Sequence, residues 1–515
     1  MSPKKSQPST KSSENWIFII LVGIIVILIA IICGCIFKPD DHEEANVQIA
    51  EKSTNVEEYK TLRYWTVVVD VWNEKGHFRT MERVCDSLQY KFVNASNGDD
   101  WDLLWTIDSP FYLPGEQSHP LYADVDRHPL RLEQKVNHFP GMEILSTKAY
   151  MNRNNAHLEY ILPSFILPKD KKKLQEFMHK NPDAKLVEKN IFNRGVSIVD
   201  KSDIIYDDSD TFYQQFMNKP FLIDGHAFDF GVFVLITSFD PVRIYRFGTD
   251  VLFRFCKEKY YPFDAKNPDK YVVQEGMHPP FTMPTFENVY KRFQFPIIKH
   301  FEKIIAEKGF DVKKFWNRID DAIVKIVRNS EPYITKITKD YNYSTHHFYE
   351  LVRFDFIFDE NLSPYVMEVN MSPNITPVRK IDEEYSKIYE QLMFNLVKMI
   401  GAGSYFEFMS RFNDSDVMIA NKKNLAVDIH SCLKFNCHRS CEHINCKLCL
   451  PCINEENIFQ MREAFREHLY QGNFRRLYPA KKFYFDEKFL SKLTEKNKFS
   501  LKWFEGKCLE DENWC

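Results

Sequence analysis

The residues with the clearest chemical potential lie between Arg353 and Pro373, in the run Arg-Phe-Asp-Phe-Ile-Phe-Asp-Glu-Asn-Leu-Ser-Pro-Tyr-Val-Met-Glu-Val-Asn-Met-Ser-Pro. Two alternating segments flank the turn-forming Asp359-Glu-Asn-Leu-Ser363, a pattern that predicts a β-hairpin. Side chains alternate across a strand, so Arg353 and Asp355 share one face of the first segment, and Glu368 and Asn370 share one face of the second. A four-residue loop over 360–363 then sets Asp355 opposite Glu368. Like charges opposed across a strand pair destabilise it unless a cation lies between them. Two acids and a carboxamide suit Mg2+, which takes few protein carboxylates and keeps sites for water and phosphate oxygens. The plainer alternative is an ion pair with Arg353, or carboxylates facing water.

A hairpin of this kind needs a layered domain to hold it. Tyr64-Trp-Thr-Val-Val-Val-Asp-Val-Trp72 reads as a buried strand, residues 76–89 as a helix, and Trp101-Asp-Leu-Leu-Trp105 as another strand. A strand-rich block covers 185–255, helices are expected over 286–308 and 312–329, and a further helix over 383–400 follows the hairpin. This is α/β (α+β) material.

Several motifs along this stretch resemble the tubulin tyrosine ligase-like family of ATP-grasp enzymes. They are Trp101-Asp-Leu-Leu-Trp, Val136-Asn-His-Phe-Pro-Gly141, Pro163-x4-Pro168, Pro220-Phe-Leu-Ile-Asp-Gly-x-x-Phe-Asp229 and Met367-Glu-Val-Asn-x-Ser-Pro373. The similarity runs from about Trp101 to Ile400 and is greatest to membrane-anchored, polyglutamylase-type members. It implies an ATP- and Mg2+-dependent ligase that joins free glutamate to an acidic protein acceptor, tubulin tails in the family, through an acyl phosphate. By the same resemblance Lys148 and Lys189 contact nucleotide, Gly195 belongs to a phosphate-covering loop, and Gln214, Gln215, Phe216 and Met217 form the adenine-binding linker. Asp229 lies near ribose or acceptor, and Asp355, Glu368 and Asn370 hold magnesium. Lys148, Lys189 and Asp229 are the implied catalytic set.

The chain departs from that pattern at informative places. The family reads Gly-x-Lys-Phe-Asp-Leu/Ile-Arg where this chain has Gly225-His-Ala-Phe-Asp-Phe-Gly231, so Ala227 and Gly231 replace two cations. Ser197 stands where a second loop glycine is usual, and the asparagine of a His-Leu-Thr-Asn segment is not found near 270–276. Losing one electrostatic stabiliser commonly costs about 10²–10³ in rate; His226 offers a shorter, conditional charge in exchange. A catalytically degraded chain acting as a binding module is therefore the competing expectation.

The flanks of this domain suggest an address. Trp16–Phe37 carries no charged residue and is long enough to span a bilayer, and too long for a signal-peptide core. Lys4, Lys5 and Lys11 precede it and Asp40, Asp41, Glu43 and Glu44 follow, which predicts a single-pass type II membrane protein with its catalytic region lumenal or extracellular; a cytosolic catalytic region is the alternative if the substrate is tubulin. Cys432, Cys437, Cys441, Cys446, Cys449 and Cys452 form either disulfides, the favoured reading, or a zinc site. Acceptor triplets at Asn94, Asn342, Asn361, Asn370, Asn374 and Asn413 permit glycosylation. Expected boundaries are a stub over 1–15, the membrane helix over 16–37, a stalk over 38–60, the ATP-grasp domain over 61–403 and a Cys-rich extension over 404–515. In that extension Met461, Phe465, Leu469 and Phe474 interleave with Arg462, Arg466, Arg475 and Arg476, as in a solvated helix packed on the domain. A net charge of −4 over 515 residues argues against nucleic acid as partner, and 44% hydrophobic content excludes global disorder.

Overall fold

The protein is described by a computed structural model covering residues 62–515, apart from 68–77, 94–100, 108, 112–129, 191–195, 200, 205, 207–210, 275, 294–295, 341–343, 378–379, 403–418, 421–422, 425–428 and 481–486. The expected stub, membrane helix and stalk lie outside the described residues, as does Gly195.

Three larger sheets organise the described residues. The first is parallel, in the order β2-β1-β3-β4: β1 (Arg63–Val67), β2 (Lys91–Phe92), β3 (Leu103–Thr106) and β4 (Lys135–Val136). The second is antiparallel, in the order β5-β8-β6-β7, built from β5 (Ser164–Ile166), β6 (Leu186–Asn190), β7 (Val196–Val199) and β8 (Thr211–Gln215). The third carries β9 (Phe228–Phe239), β10 (Val242–Phe247), β11 (Leu252–Phe255), β12 (Glu350–Phe358) and β13 (Pro364–Met371). A short ladder, β14 (Ile419–Ala420) with β15 (Lys423–Asn424), stands apart, and β16 (Phe474–Tyr478) joins the third sheet beside β10. The helices packed on them include α1 (Arg79–Ser87), α2 (Lys148–Asn155), α3 (Ile297–Glu307), α4 (Val312–Asp340), α5 (Ser386–Ile400), α6 (Glu455–Tyr470) and α7 (Glu495–Glu510).

Strand alternation divides the third sheet into two faces. Phe230, Val232, Val234 and Ile236 of β9, with Phe253, Phe255, Phe354 and Phe356, pack against Phe301 and Ile305 of α3 and Phe315, Ile319 and Ile323 of α4. On the opposite face Phe233, Leu235 and Leu351 meet Leu392, Met393 and Leu396 of α5. Each fully buried side chain of this size contributes about 1.5–3 kcal/mol, so the sheet is rigid on both sides. Where α5 ends its cover, that second face carries Asp229, Gly231, Arg254, Arg353 and Asp355 in place of apolar residues.

The helices differ from expectation at two prolines. The span expected as one helix over 286–308 is two, Pro284–Phe293 and α3, and Pro296, with extended rather than helical backbone, is the N-cap of the second. Helix α4 continues past Pro332 to Asp340, since Ile334, Thr335 and Thr338 are buried and their packing outweighs the lost backbone bond. The basic tail is also corrected: Arg466 is buried, donating to Glu463 and to the Gly401 carbonyl, and Phe474–Tyr478 is a sheet strand. The six clustered cysteines pair as Cys432–Cys449, Cys437–Cys446 and Cys441–Cys452.

The expected single-pass type II placement is corrected as well. Among the described residues no helix is long and apolar enough to cross a membrane. The longest, α4, is amphipathic: one stripe is buried while Lys313, Lys314, Arg318 and Lys325 face outward or sideways.

Candidate active site

The hairpin β12–β13 delivers its two acids and its amide to one place. Asp355 pairs with Glu368, and Arg353 with Asn370, in the strand register. The route differs from the simple count. Phe358 pairs with Pro364, so the connection holds five residues, 359–363, and the register then shifts between Asp355 and Phe356. Asp359 accepts the backbone N–H groups of Asn361 and Ser363 and fixes that longer turn. Val366 points into the apolar core with Phe356, and so does Val369, with the bulged Met367 making up the odd residue. Without that bulge Glu368 would follow Val366 into the core; the bulge turns Glu368 and Asn370 onto the polar face.

The side chains meet closely there. The Asn370 amide nitrogen lies 2.8 Å from Asp355 Oδ2 and 3.1 Å from Glu368 Oε1, bridging the two acids. Lys148, the first residue of α2, sets its Nζ 3.1 Å from Glu368 Oε2. Arg353 donates Nε to Asp355 Oδ1 at 2.6 Å and Nη2 to Oδ2 at 2.8 Å. Arg254, from β11, donates to both oxygens of Asp229 at 2.8 and 2.7 Å and to Asp355 Oδ2 at 2.8 Å. Burial opposes ionisation of Asp355, but the Arg353 and Arg254 guanidiniums outweigh it and hold this carboxyl below its usual range. For Asp229 burial dominates, and despite Arg254 its carboxyl is pushed up to about 6.

A second group comes from the antiparallel sheet. Lys189 of β6 is buried and donates to Gln214 Oε1 at 2.7 Å; the Gln214 amide donates in turn to Asn152 Oδ1 and Ser164 Oγ, each at 2.9 Å. Burial and the charge of Lys148 bring the Lys189 ammonium down to about 8, while Glu368 pulls the other way, so Lys189 faces the same cluster. Gln214 therefore orients Lys189 with its side chain. The Gln215 and Phe216 N–H groups donate to Pro163 and Lys185 carbonyls, and the Met217 carbonyl accepts from the Tyr260 hydroxyl. Ser197 is exposed on β7, opposite Glu188. His226 gives its Nδ1 to the Cys256 carbonyl at 2.9 Å, and Ala227 packs with Val187, Phe216, Cys256 and Tyr260.

Spacing named Asp355, Glu368 and Asn370, the family resemblance added Lys148, Lys189, Gln214 and Asp229, and the fold brings these side chains together. Sequence reasoning missed Arg254 and gave Arg353 only the role of an ion-pair partner. A charge inside the apolar run Val251-Leu-Phe-Arg-Phe255 was the available signal for Arg254. The donor chemistry fits Mg2+: two carboxylates and one carboxamide converge, and half a turn of the Asn370 amide would present oxygen where its nitrogen now bridges the acids.

Comparison with known sequences adds an independent finding. Residues 124–405, more than half of the chain, match the tubulin-tyrosine ligase family. The chain is 27% identical over 449 residues to the probable tubulin polyglutamylase ttll-15 of Caenorhabditis elegans, covering 85% of this chain and 84% of that one. It is 28% identical over 327 residues to the tubulin monoglutamylase TTLL4 of Mus musculus, covering 60% of this chain and 26% of the relative. The tubulin polyglutamylase ttll6 of Danio rerio is 27% identical over 342 residues, covering 61% of this chain and 40% of the relative. The match thus spans less than half the length of these last two proteins.

Proposed function

The chain belongs to the tubulin-tyrosine ligase family, and from that premise we propose that it is an ATP- and Mg2+-dependent protein glutamate ligase. The convergence of Asp355, Glu368 and Asn370 beside Lys148 and Lys189 carries this reading, and the glutamylase names of the relatives support it. In the proposed reaction an acceptor carboxylate oxygen takes the γ-phosphoryl group of ATP with release of ADP, and the amine of free glutamate then attacks the acyl phosphate, forming an amide while it loses a proton and expels inorganic phosphate. Magnesium held by Asp355, Glu368 and Asn370 would neutralise charge on the phosphates. Lys148 and Lys189 contribute positive charge at the phosphate end, and burial makes that of Lys189 worth more than it would be in water. Gln214 keeps the Lys189 ammonium aimed at that point. The acceptor class, by analogy with the relatives' names, is the acidic tail of tubulin.

One observation favours a second reading. Ala227 lies in an apolar cluster where the family pattern carries a lysine, as expected of a chain that has kept a nucleotide-binding scaffold and lost turnover. Incubating the purified full chain with ATP, Mg2+, isotopically labelled glutamate and tubulin separates the two. The ligase reading expects labelled tubulin with the native chain and at least a hundredfold less with Glu368→Gln. Nucleotide binding without any label transfer would sink it in favour of the binding module.

A further inference from the structure

Beside position 231, where the family pattern carries a cation, the adjacent strand places Arg353. Gly231 of β9 pairs with Asp355 of β12, on the face that carries Asp229 and Arg254. A Cβ built on Gly231 would lie 2.8 Å from Arg353 Cδ, 3.2 Å from Arg353 Nε and 3.1 Å from Asp355 Oδ1. The space a side chain at 231 would need is thus filled by the stem of Arg353, and with any larger residue there Arg353 could not lie across the strand to reach Asp355. Here glycine serves a close approach between neighbouring strands.

The guanidinium itself is incompletely used. Its Nε and Nη2 grip Asp355, and among the described residues Nη1 donates to nothing, although Arg353 is only 7% exposed. An arginine held at one edge by a carboxylate, with its other edge free, is preorganised for an anionic oxygen. The surrounding charge agrees: Arg254, Arg353, Lys148 and Lys189 face Asp229, Asp355 and Glu368, four cations to three acids, before any divalent ion is added. Such a cluster favours a polyanion over a neutral or cationic ligand.

We propose that Arg353 supplies from β12 the phosphate-binding cation that β9 lacks, and that Gly231 is the complementary space that admits it. This rests on reading the site as nucleotide-binding, and names the residue that discriminates phosphate within it. The pair works as a unit: size at 231 and charge at 353 are exchanged together.

Calorimetric titration of the full chain with Mg2+-ATP and, separately, with adenosine tests it without reference to turnover. Arg353→Gln is expected to weaken ATP binding about tenfold or more, while changing adenosine binding less than about twofold. Gly231→Arg alone is expected to weaken ATP binding through collision with Arg353. The double change Gly231→Arg with Arg353→Gly is expected to recover ATP affinity to within about threefold of the native chain, because it returns charge and space to opposite strands. Urea denaturation of each variant without nucleotide shows whether it folds, and Arg353→Lys, which keeps the charge and loses the fork, provides a milder second variant with an intermediate loss. An unchanged ratio of ATP to adenosine affinity in Arg353→Gln overturns the proposal, as does failure of the folded double variant to recover. A chain that binds ATP in this Arg353-dependent way and transfers no glutamate refutes the ligase reading alone.

Discussion

Ala227 and Gly231 stand on either side of Asp229, and each occupies a position where the family pattern has a cation, yet their surroundings are opposite. Ala227 is enclosed by Val187, Phe216, Cys256 and Tyr260, so its neighbourhood has become apolar. Gly231 is enclosed by Arg353 and Asp355, so its neighbourhood remains ionic, with the charge arriving from another strand. The lesson is that a missing charge in one strand says little until the neighbouring strand is known. Around Ala227 the packing is apolar, with Lys185 reaching the rim of the cluster over the Phe263 ring, whereas at Gly231 the register places Asp355 directly opposite and Arg353 within reach.

The sharpest way to break this contrast is at Asp355. Asp355→Ala leaves the buried Arg353 without its carboxylate and Arg254 with one acid fewer, and should cost about 3–5 kcal/mol in chemical denaturation. A loss below about 1 kcal/mol would mean that the guanidiniums relax into solvent and that the ionic neighbourhood is not a unit. The apolar side of the comparison predicts a smaller effect: Ala227→Lys forces a long cationic side chain against Val187 and Phe216, costing about 1–3 kcal/mol. It should bring no gain in ATP affinity, and a gain would show that this pocket still has a use for charge.

A third effect separates Lys189 from the arginines through pH. Its ammonium titrates near 8 in the folded chain, below the roughly 10.4 of an unfolded one, so the unfolded chain retains a proton that the folded chain has lost between those values. Stability should therefore rise with pH across that window, the penalty of the buried charge being present in full below about 8. Phosphate affinity should move the opposite way, falling about tenfold between pH 7 and 9 if one protonated lysine is required. Arginine charge is constant over this range, so an ATP titration with no pH dependence would assign phosphate binding to the arginines alone. Gln214→Leu removes the acceptor of the Lys189 ammonium and should shift the midpoint of that fall below 8, the smallest of these changes.

Much of the site was legible because strand alternation has a period of two and little tolerance. Arg353, Asp355, Glu368 and Asn370 could be assigned to one surface from their spacing, and their register agrees with that assignment. Loop length was not legible. Four residues were expected and five are found, and only the bulge at Met367 restores the pairing of Asp355 with Glu368. Bulges answer to packing on both strand faces, here Val366 and Val369 seeking the core, and no local composition marks them. Helix boundaries failed for a related reason: Pro296 caps the start of a new helix while Pro332 lies inside one, because buried contacts beyond Pro332 compensate for its missing donor. The strand Phe474–Tyr478 was hidden because an edge strand is recognised by the partner it finds, in this case β10.

Residue order therefore determined which groups could act: acids and an amide at alternating positions, a lysine in a strand, an arginine inside an apolar run. These follow from backbone geometry, which is local and the same in every chain. Tertiary structure decided where the charges end: the bulge that turns Glu368 outward, the Gln214 side chain that aims Lys189, and the passage of Arg353 across Gly231. Those outcomes depend on which strands lie side by side and what volume each leaves the other, quantities that exist only once segments distant in sequence have packed together.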